Sequence, residues 1–79
     1  MQRKFHFLSP KEIEDCIKKK GFEFTINYVA QTLKFFQWKE TGLWENPRMR
    51  KRAQELSLKN IKYEQILATL REKHGSGRM

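Results

Sequence analysis

The sequence predicts an all-α, small four-helix domain, with at most a minor β element. Three observations lead to this class. Polar capping residues followed by proline occur directly before apolar positions that recur every three or four residues, which is typical of helix starts. The 79-residue chain holds only 4 glycines and 2 prolines, and strand signals are scarce. We expect a single basic helical domain over residues 1–74 and a flexible tail over residues 75–79.

The first helix is predicted to begin at Pro10. Ser9 and Glu12 have the spacing of a capping box, in which each side chain meets the backbone amide of the other residue. Proline at the first helical position loses no hydrogen bond. Gly21 suits the residue that follows the helix. The apolar face of this helix comprises Ile13, Cys16 and Ile17.

The second helix is predicted from about Ile26 to Glu40, with Thr25 as its N-cap and Gly42 just beyond its end. Trp38 falls on its polar side, either exposed or covered by a later helix, whereas Trp44 is expected in the core. The apolar side holds Ile26, Val29, Ala30, Leu33 and Phe36. The opposite stripe holds Asn27, Gln31, Lys34 and Trp38, with Tyr28 and Phe35 beside it.

Two further helices are predicted in the second half of the chain. Asn46 before Pro47 repeats the cap-and-proline pattern and predicts the third helix. The pattern breaks from Ser57, and Asn60 is expected to cap a fourth helix that ends near His74. The optional β element would pair residues 3–8 with residues 43–45.

The charge balance favours an anionic partner. The chain has 17 Lys and Arg against 9 Asp and Glu, a formal net charge of +8. Four cations, Arg48, Arg50, Lys51 and Arg52, fall within five positions. Their mutual repulsion would be relieved by phosphates, whose condensed counterions are released on binding, and the forked guanidinium group suits phosphate. The alternative interpretation of this run is a solvated helix face.

The first half of the chain resembles the helix-turn-helix and winged-helix-like DNA-binding superfamily. The resemblance covers residues 8–44. It rests on a helix opening at Ser9–Ile13, a turn over Gly21–Thr25, a helix from Ile26, and a closing segment, Lys39–Leu43, similar to the "xxGL" ending of recognition helices. An αα-hairpin in a small bundle is the alternative explanation of the same pattern.

The resemblance implies that the second helix lies in the major groove of DNA. No β-hairpin wing follows Leu43, so the cations of the third helix would contact the DNA phosphate backbone in place of a wing. Asparagine and glutamine can make paired hydrogen bonds to adenine, and lysine reaches guanine or phosphate. The nucleic-acid-binding residues are therefore expected to be Thr25, Asn27, Tyr28, Gln31, Lys34, Trp38, Arg48, Arg50, Lys51 and Arg52.

We therefore expect a small basic DNA-binding protein that acts as a transcriptional regulator or recombination accessory factor, of phage or mobile-element origin. Double-stranded DNA is the expected partner, and a homodimer is plausible. One alternative is a protein-interaction module that modulates an acidic protein or a nucleic-acid enzyme. Another is binding of RNA or single strands through Tyr28, Phe35 and Trp38.

Other classes of function find little support in the sequence. One cysteine, Cys16, allows no internal disulfide, and His6 and His74 lack metal-ligand spacing. We expect no catalytic residues, no metal and no cofactor. No apolar run approaches the length that spans a bilayer, and the first residues do not match a signal peptide. The expected location is the cytoplasm, or the nucleus if the source is a eukaryote.

Overall fold

The computed structural model describes residues 5–76. It contains three α-helices: α1 (Pro10–Lys20), α2 (Phe22–Trp44) and α3 (Arg50–Ser76). A 3-10 turn over Pro47–Met49 leads into α3. No strand occurs within residues 5–76, and residues 43 and 44 belong to α2. The all-α class is therefore confirmed, whereas the predicted fourth helix and the β ribbon are not found. Residues 3–4 of that ribbon and residues 77–79 of the predicted tail lie outside the described residues.

The start of α1 agrees with the prediction in detail. The amide of Ser9 donates to Glu12 Oε1 at 2.9 Å, and the amide of Glu12 donates to Ser9 Oγ at 3.3 Å. Pro10 occupies the first turn. The hydrogen bond from the Ser9 amide lowers the pKa of the Glu12 carboxyl below its usual value. These local interactions fix the direction in which the chain enters α1.

The connection between α1 and α2 is one residue, Gly21, and the predicted turn over Gly21–Thr25 is wrong. Gly21 has φ +95°, a region that strains any residue with a Cβ atom. Thr25 is not an N-cap: it lies one turn inside α2, is fully buried, and its hydroxyl donates to the Gly21 carbonyl at 2.8 Å. A threonine hydroxyl inside a helix can donate to the carbonyl four residues earlier in this way. Thr25 is therefore an internal residue of α2, which begins at Phe22.

The predicted ends of the later helices are also wrong. Gly42 lies inside α2, which continues to Trp44. The predicted break at residues 57–60 is absent, because the predicted third and fourth helices form the single 27-residue helix α3. Asn60 does not cap a helix; it is only 3% exposed and donates from Nδ2 to Glu40 Oε1 at 2.9 Å. A tertiary partner thus stabilises α3 where its local sequence is weak. Gly75 and Ser76, assigned to the tail, are the last residues of α3.

The core lies where α2 packs along α3, with α1 added against α2. Its apolar side chains confirm the predicted apolar faces of the first two helices. Ala53 is also fully buried near the start of α3. The buried cluster consists of Ile13, Val29, Leu33, Tyr63, Leu67 and Leu70.

The segment before α1 packs on α2 and α3 through its aromatic rings. The Phe7 ring stacks on Phe36 with centroids 4.4 Å apart, and its edge meets Tyr63 at 4.9 Å. The Leu8 amide donates to the Tyr63 hydroxyl at 3.5 Å. Burial raises the pKa of the Tyr63 phenol, since it disfavours the charged form. This segment therefore covers the middle of the α2–α3 pair. Within residues 5–76, none of the helices has the length and apolar character to cross a membrane.

Candidate nucleic-acid interface

The 3-10 turn before α3 and the first turn of α3 together carry the four clustered cations. Asn46 caps the preceding 3-10 turn, as its Oδ1 accepts from the Arg48 amide at 3.1 Å. Proline follows at the first position of that turn, and α3 begins directly after Met49. This predicted cap is confirmed, and it places Arg48, Arg50, Lys51 and Arg52 together at one end of the molecule, which we call the basic end.

The cations of the basic end are not neutralised by the chain itself. All four side chains are exposed, and none has a carboxylate of the described residues within 4.0 Å. No acidic residue occupies the first turn of α3, although acids are favoured there because the amino end of a helix dipole is positive. The basic end is therefore a site of unrelieved positive potential, which an anion would stabilise.

The cations spread around the helix end and do not form a single stripe. Consecutive residues of an α-helix are about 100° apart, so Arg50, Lys51 and Arg52 project in three directions. Arg52 turns towards α2, where it shares a groove with Lys39. Lys51 lies nearly opposite the buried Ala53 around the helix, whereas Arg50 lies closer to the side of Ala53 but is still exposed.

The polar stripe predicted on α2 is exposed. Its four residues lie opposite the buried side of the helix and face solvent: Asn27, Gln31, Lys34 and Trp38. Trp38 is 72% exposed, so no later helix covers it. Tyr28, beside the stripe, is half-buried. Thr25, predicted for this surface, is fully buried in the core and cannot contact a ligand in this fold.

The stripe and the basic end do not form one continuous surface. The buried side of α2, with Val29 and Leu33, packs along α3, so the stripe on its opposite side faces away from α3. The basic end belongs to α3 and lies beyond the C-terminal part of α2. The structure thus divides the predicted residues into two groups: the cations at one end, and the amide and aromatic side chains along α2.

A row of aromatic rings runs beside the polar stripe, and sequence reasoning found only part of it. The Phe5 ring lies 5.9 Å from Tyr28 and 5.5 Å from Phe35, measured between centroids. Trp38 continues the row at 6.3 Å from Phe35, and the Lys39 ammonium lies 5.5 Å from the Phe35 centroid. The contribution of Phe5 had no sequence signal, because it lies in an irregular segment without periodicity.

The carboxylate of Glu40 fixes the C-terminal part of α2 against α3, and sequence reasoning missed it. Besides Asn60, it accepts from Trp44 Nε1 at 2.9 Å. Hydrogen bonds from Asn60, Trp44 and Ser57, in that order of importance, lower the pKa of this carboxyl. Trp44 is 38% exposed, so its predicted place in the core is wrong. The hydrogen bonds of Glu40 set the geometry of the basic end relative to α2.

The remaining polar groups form no further site of clear chemistry. His6 Nε2 lies 3.6 Å from Glu12 Oε2, and both side chains are more than half exposed. Cys16 is half-buried with a free thiol. Within residues 5–76, no three His, Cys, Asp or Glu side chains are grouped closely enough to hold a metal ion. The basic end and the outer side of α2 are therefore the main candidates for function.

Comparisons with known proteins add no assignment. No family model matches the chain, and neither a curated protein nor a solved structure is significantly similar to it.

Proposed function

We propose that this protein binds double-stranded DNA through its phosphates, with the basic end as the main contact. One observation carries the proposal: Arg48, Arg50, Lys51 and Arg52 are exposed, lie at the positive end of a helix, and have no described carboxylate within 4.0 Å. Phosphates would neutralise these charges and release counterions. Arginine at three of the four positions favours forked contacts to phosphate oxygens.

The proposal is tested by the salt dependence of binding. Anisotropy of a labelled duplex of random sequence is measured over a series of salt concentrations. We expect log Kobs to fall linearly with log[salt], and the double substitution Arg50→Ala and Arg52→Ala to reduce the slope by about two. The matched control replaces Lys18 and Lys19, two exposed cations in the last turn of α1, and should change the slope less. Two results would contradict the proposal: an equal reduction of the slope in both double variants, or no increase in the anisotropy of the duplex at low salt.

A narrower form of the proposal lets α2 read bases, as the resemblance to helix-turn-helix proteins implies. Its support is the exposure of Asn27, Gln31 and Lys34, whose side chains can bond to purine edges. Selection of bound duplexes from a random pool should then yield a preferred sequence, which Asn27→Ala with Gln31→Ala should abolish. A role as a regulator or recombination accessory factor requires this preference. If the pool returns no preferred sequence, the protein binds the phosphate backbone alone.

Binding of RNA or single strands is the second candidate function. The observation that favours it is the 72% exposure of Trp38 at the end of the aromatic row, since exposed aromatic rings can stack on unpaired bases. Competition separates the two candidates. Unlabelled single strands that displace the duplex more effectively than duplex itself, with loss of that advantage in Trp38→Ala, would favour the second.

A further inference from the structure

One side of the α2–α3 pair is covered over only part of its length. A single stripe of α3 runs along this side with alternating spacings of three and four residues, so its members share a face. Its C-terminal part lines a small groove against α1, and its central Tyr63 lies under Phe7. Its N-terminal part has no covering segment among residues 5–76. The stripe is Arg52, Leu56, Lys59, Tyr63, Ile66, Leu70 and Lys73.

The uncovered part is an open groove of about 590 Å³ between α2 and α3, which we call the α2–α3 groove. It extends from Phe36 to Leu43 on α2 and from Arg52 to Lys59 on α3, about 10 Å along each helix at 1.5 Å per residue. This length matches two turns of a helix, enough for apolar anchors at positions i, i+3 or i+4, and i+7. The apolar floor of the groove is Phe36, Leu43, Met49 and Leu56, none of them fully buried.

The rim of the groove is cationic. Lys39, Arg52 and Lys59 line it, against one carboxylate, Glu55. The three cations are exposed, and none has a described carboxylate within 4.0 Å. A second copy of this chain would bring a further +8 charge to the groove. Charge complementarity therefore favours an acidic occupant, and the apolar floor requires it to have an apolar face as well.

We propose that the α2–α3 groove binds an acidic amphipathic helix of a partner protein. The apolar side of that helix would rest on Phe36, Leu43, Met49 and Leu56. Its carboxylates would meet Lys39, Arg52 and Lys59 at the rim. Farther along the same stripe of α3, Ile66 and Leu70 share an apolar cluster with Ile13 and Ile17 of α1, so apolar side chains of another helix already lie beside part of this stripe. This inference does not depend on DNA binding, and Lys39 and Lys59 lie outside the basic end.

The probes are two labelled peptides, each stapled chemically into a helix because short helices are marginal in water. Both carry leucine at the anchor positions; one has glutamate and the other lysine at the flanking positions. We expect the glutamate peptide to bind more than about tenfold tighter than the lysine peptide. The double substitution Lys39→Glu and Lys59→Glu should reverse this preference. Both residues are exposed, so the variant should fold.

A second variant tests the floor. Met49→Glu should weaken binding of the glutamate peptide at least about tenfold, the loss typical of a contact at the centre of an interface. The matched control is Leu58→Glu, because Leu58 is 66% exposed and does not line the groove. It should change the affinity less than about twofold. Circular dichroism checks folding of both variants, and the charge-reversal test remains decisive if Met49→Glu fails to fold.

Three outcomes would overturn the inference. The first is equal affinity of the two peptides, or no binding of either near a peptide concentration of about 1 mM. The second is concentration-dependent self-association that Lys39→Glu with Lys59→Glu abolishes, which would assign the groove to a second copy. The third is loss of duplex binding in the same variant when neither peptide binds, which would assign the groove to nucleic acid. A normal salt slope for duplex DNA beside failed peptide binding would leave the proposed function intact.

Discussion

Replacing Glu40 by alanine should destabilise the fold more than removal of an ordinary surface carboxylate. Glu40 Oε1 is the acceptor for Asn60 Nδ2 at 2.9 Å, and Asn60 is 3% exposed. The alanine variant leaves this donor buried without a partner. The Oδ1 atom of the same side chain already has no hydrogen-bond partner among the described residues. The variant therefore leaves both polar ends of Asn60 unsatisfied within the α2–α3 contact.

The expected loss is about 2 kcal/mol of unfolding free energy. A hydrogen bond to a charged group contributes about 1.5–3 kcal/mol, and an unpaired buried polar group costs about 1–3 kcal/mol. The second bond, from Trp44, adds little because that side chain is 38% exposed. For a domain of this size, about 1 kcal/mol shifts Tm by about 4–8 °C. We therefore expect Tm to fall by about 8–16 °C.

Thermal and urea unfolding, followed by circular dichroism, measure this loss. Glu55→Ala is the matched control, since Glu55 is an exposed carboxylate on α3 without a side-chain hydrogen bond among residues 5–76. It should change stability by less than about 0.5 kcal/mol. Asn60→Leu removes the donor and the unpaired acceptor together; since Glu40 is half-buried and keeps its bond from Trp44, this variant should cost less than Glu40→Ala. In the Asn60→Leu background, Glu40→Ala should lose most of its effect.

Unfolding of Glu40→Ala at the same temperature as Glu55→Ala would refute a stabilising bond between Glu40 and Asn60. Simple addition of the effects of Glu40→Ala and Asn60→Leu would refute it as well, because the two groups would then not interact. A coupling of about 1–2 kcal/mol between the two substitutions is the expected result.

The remaining predictions concern backbone strain, exposure and pH. Gly21→Ala should destabilise by about 1–2 kcal/mol because φ is +95°, whereas Gly42→Ala inside α2, with no atom within 4 Å of the new Cβ, should stabilise by about 0.5–1 kcal/mol; urea unfolding compares the pair. Trp38→Ala should leave Tm within about 4 °C, since the side chain is 72% exposed; a larger drop in thermal unfolding would show that Trp38 is structural. The Glu40 carboxyl has a lowered pKa, so its stabilisation is present above the ordinary carboxyl pKa and lost as the pH falls through the folded-state value. Unfolding free energy should therefore decrease in acid with a shallower slope in Glu40→Gln, and equal slopes in the two proteins would contradict this assignment.

Sequence reasoning succeeded where short-range interactions determine the structure. The capping box of α1 joins Ser9 and Glu12, three residues apart, and the Asn46 cap bonds an amide two residues later. The apolar side of α2 follows from helical periodicity alone. These signals depend on neighbours along the chain, so a single sequence contains all that is needed to identify them.

Prediction from the sequence failed where contacts with distant residues override the local preference for helix caps and helix ends. Thr25 and Asn60 are good caps in isolation, but burial against other helices places each inside a helix. Asn60 finds its partner, Glu40, 20 residues earlier in the chain. Gly42 disfavours helix by about 1 kcal/mol, yet α2 continues to Trp44, whose indole bonds to Glu40. Local propensity cannot anticipate such contacts.

Sequence patterns identified most residues of the candidate site but did not predict how they are arranged in space. The exposure of Asn27, Gln31 and Lys34 follows from their place on the helix, whereas the sequence left open whether a later helix covers Trp38. The groove was missed because α3 was divided at residues 57–60. When α3 is taken as one helix, the spacing of Arg52, Leu56 and Lys59 by four and three residues places them on one face. The role of Lys39 then depends on how α2 packs on α3, which no local pattern reveals.

The bond from the Leu8 amide to the Tyr63 hydroxyl has a consequence for biosynthesis. The two residues are 55 positions apart, so the ribosome synthesises Leu8 well before Tyr63, whose hydroxyl accepts from the Leu8 amide. Until α3 emerges, Phe7 and its neighbours have only the α1–α2 hairpin to rest on. The nascent chain therefore leaves this aromatic surface uncovered until α3 has been synthesised, and the segment before α1 can dock only after that.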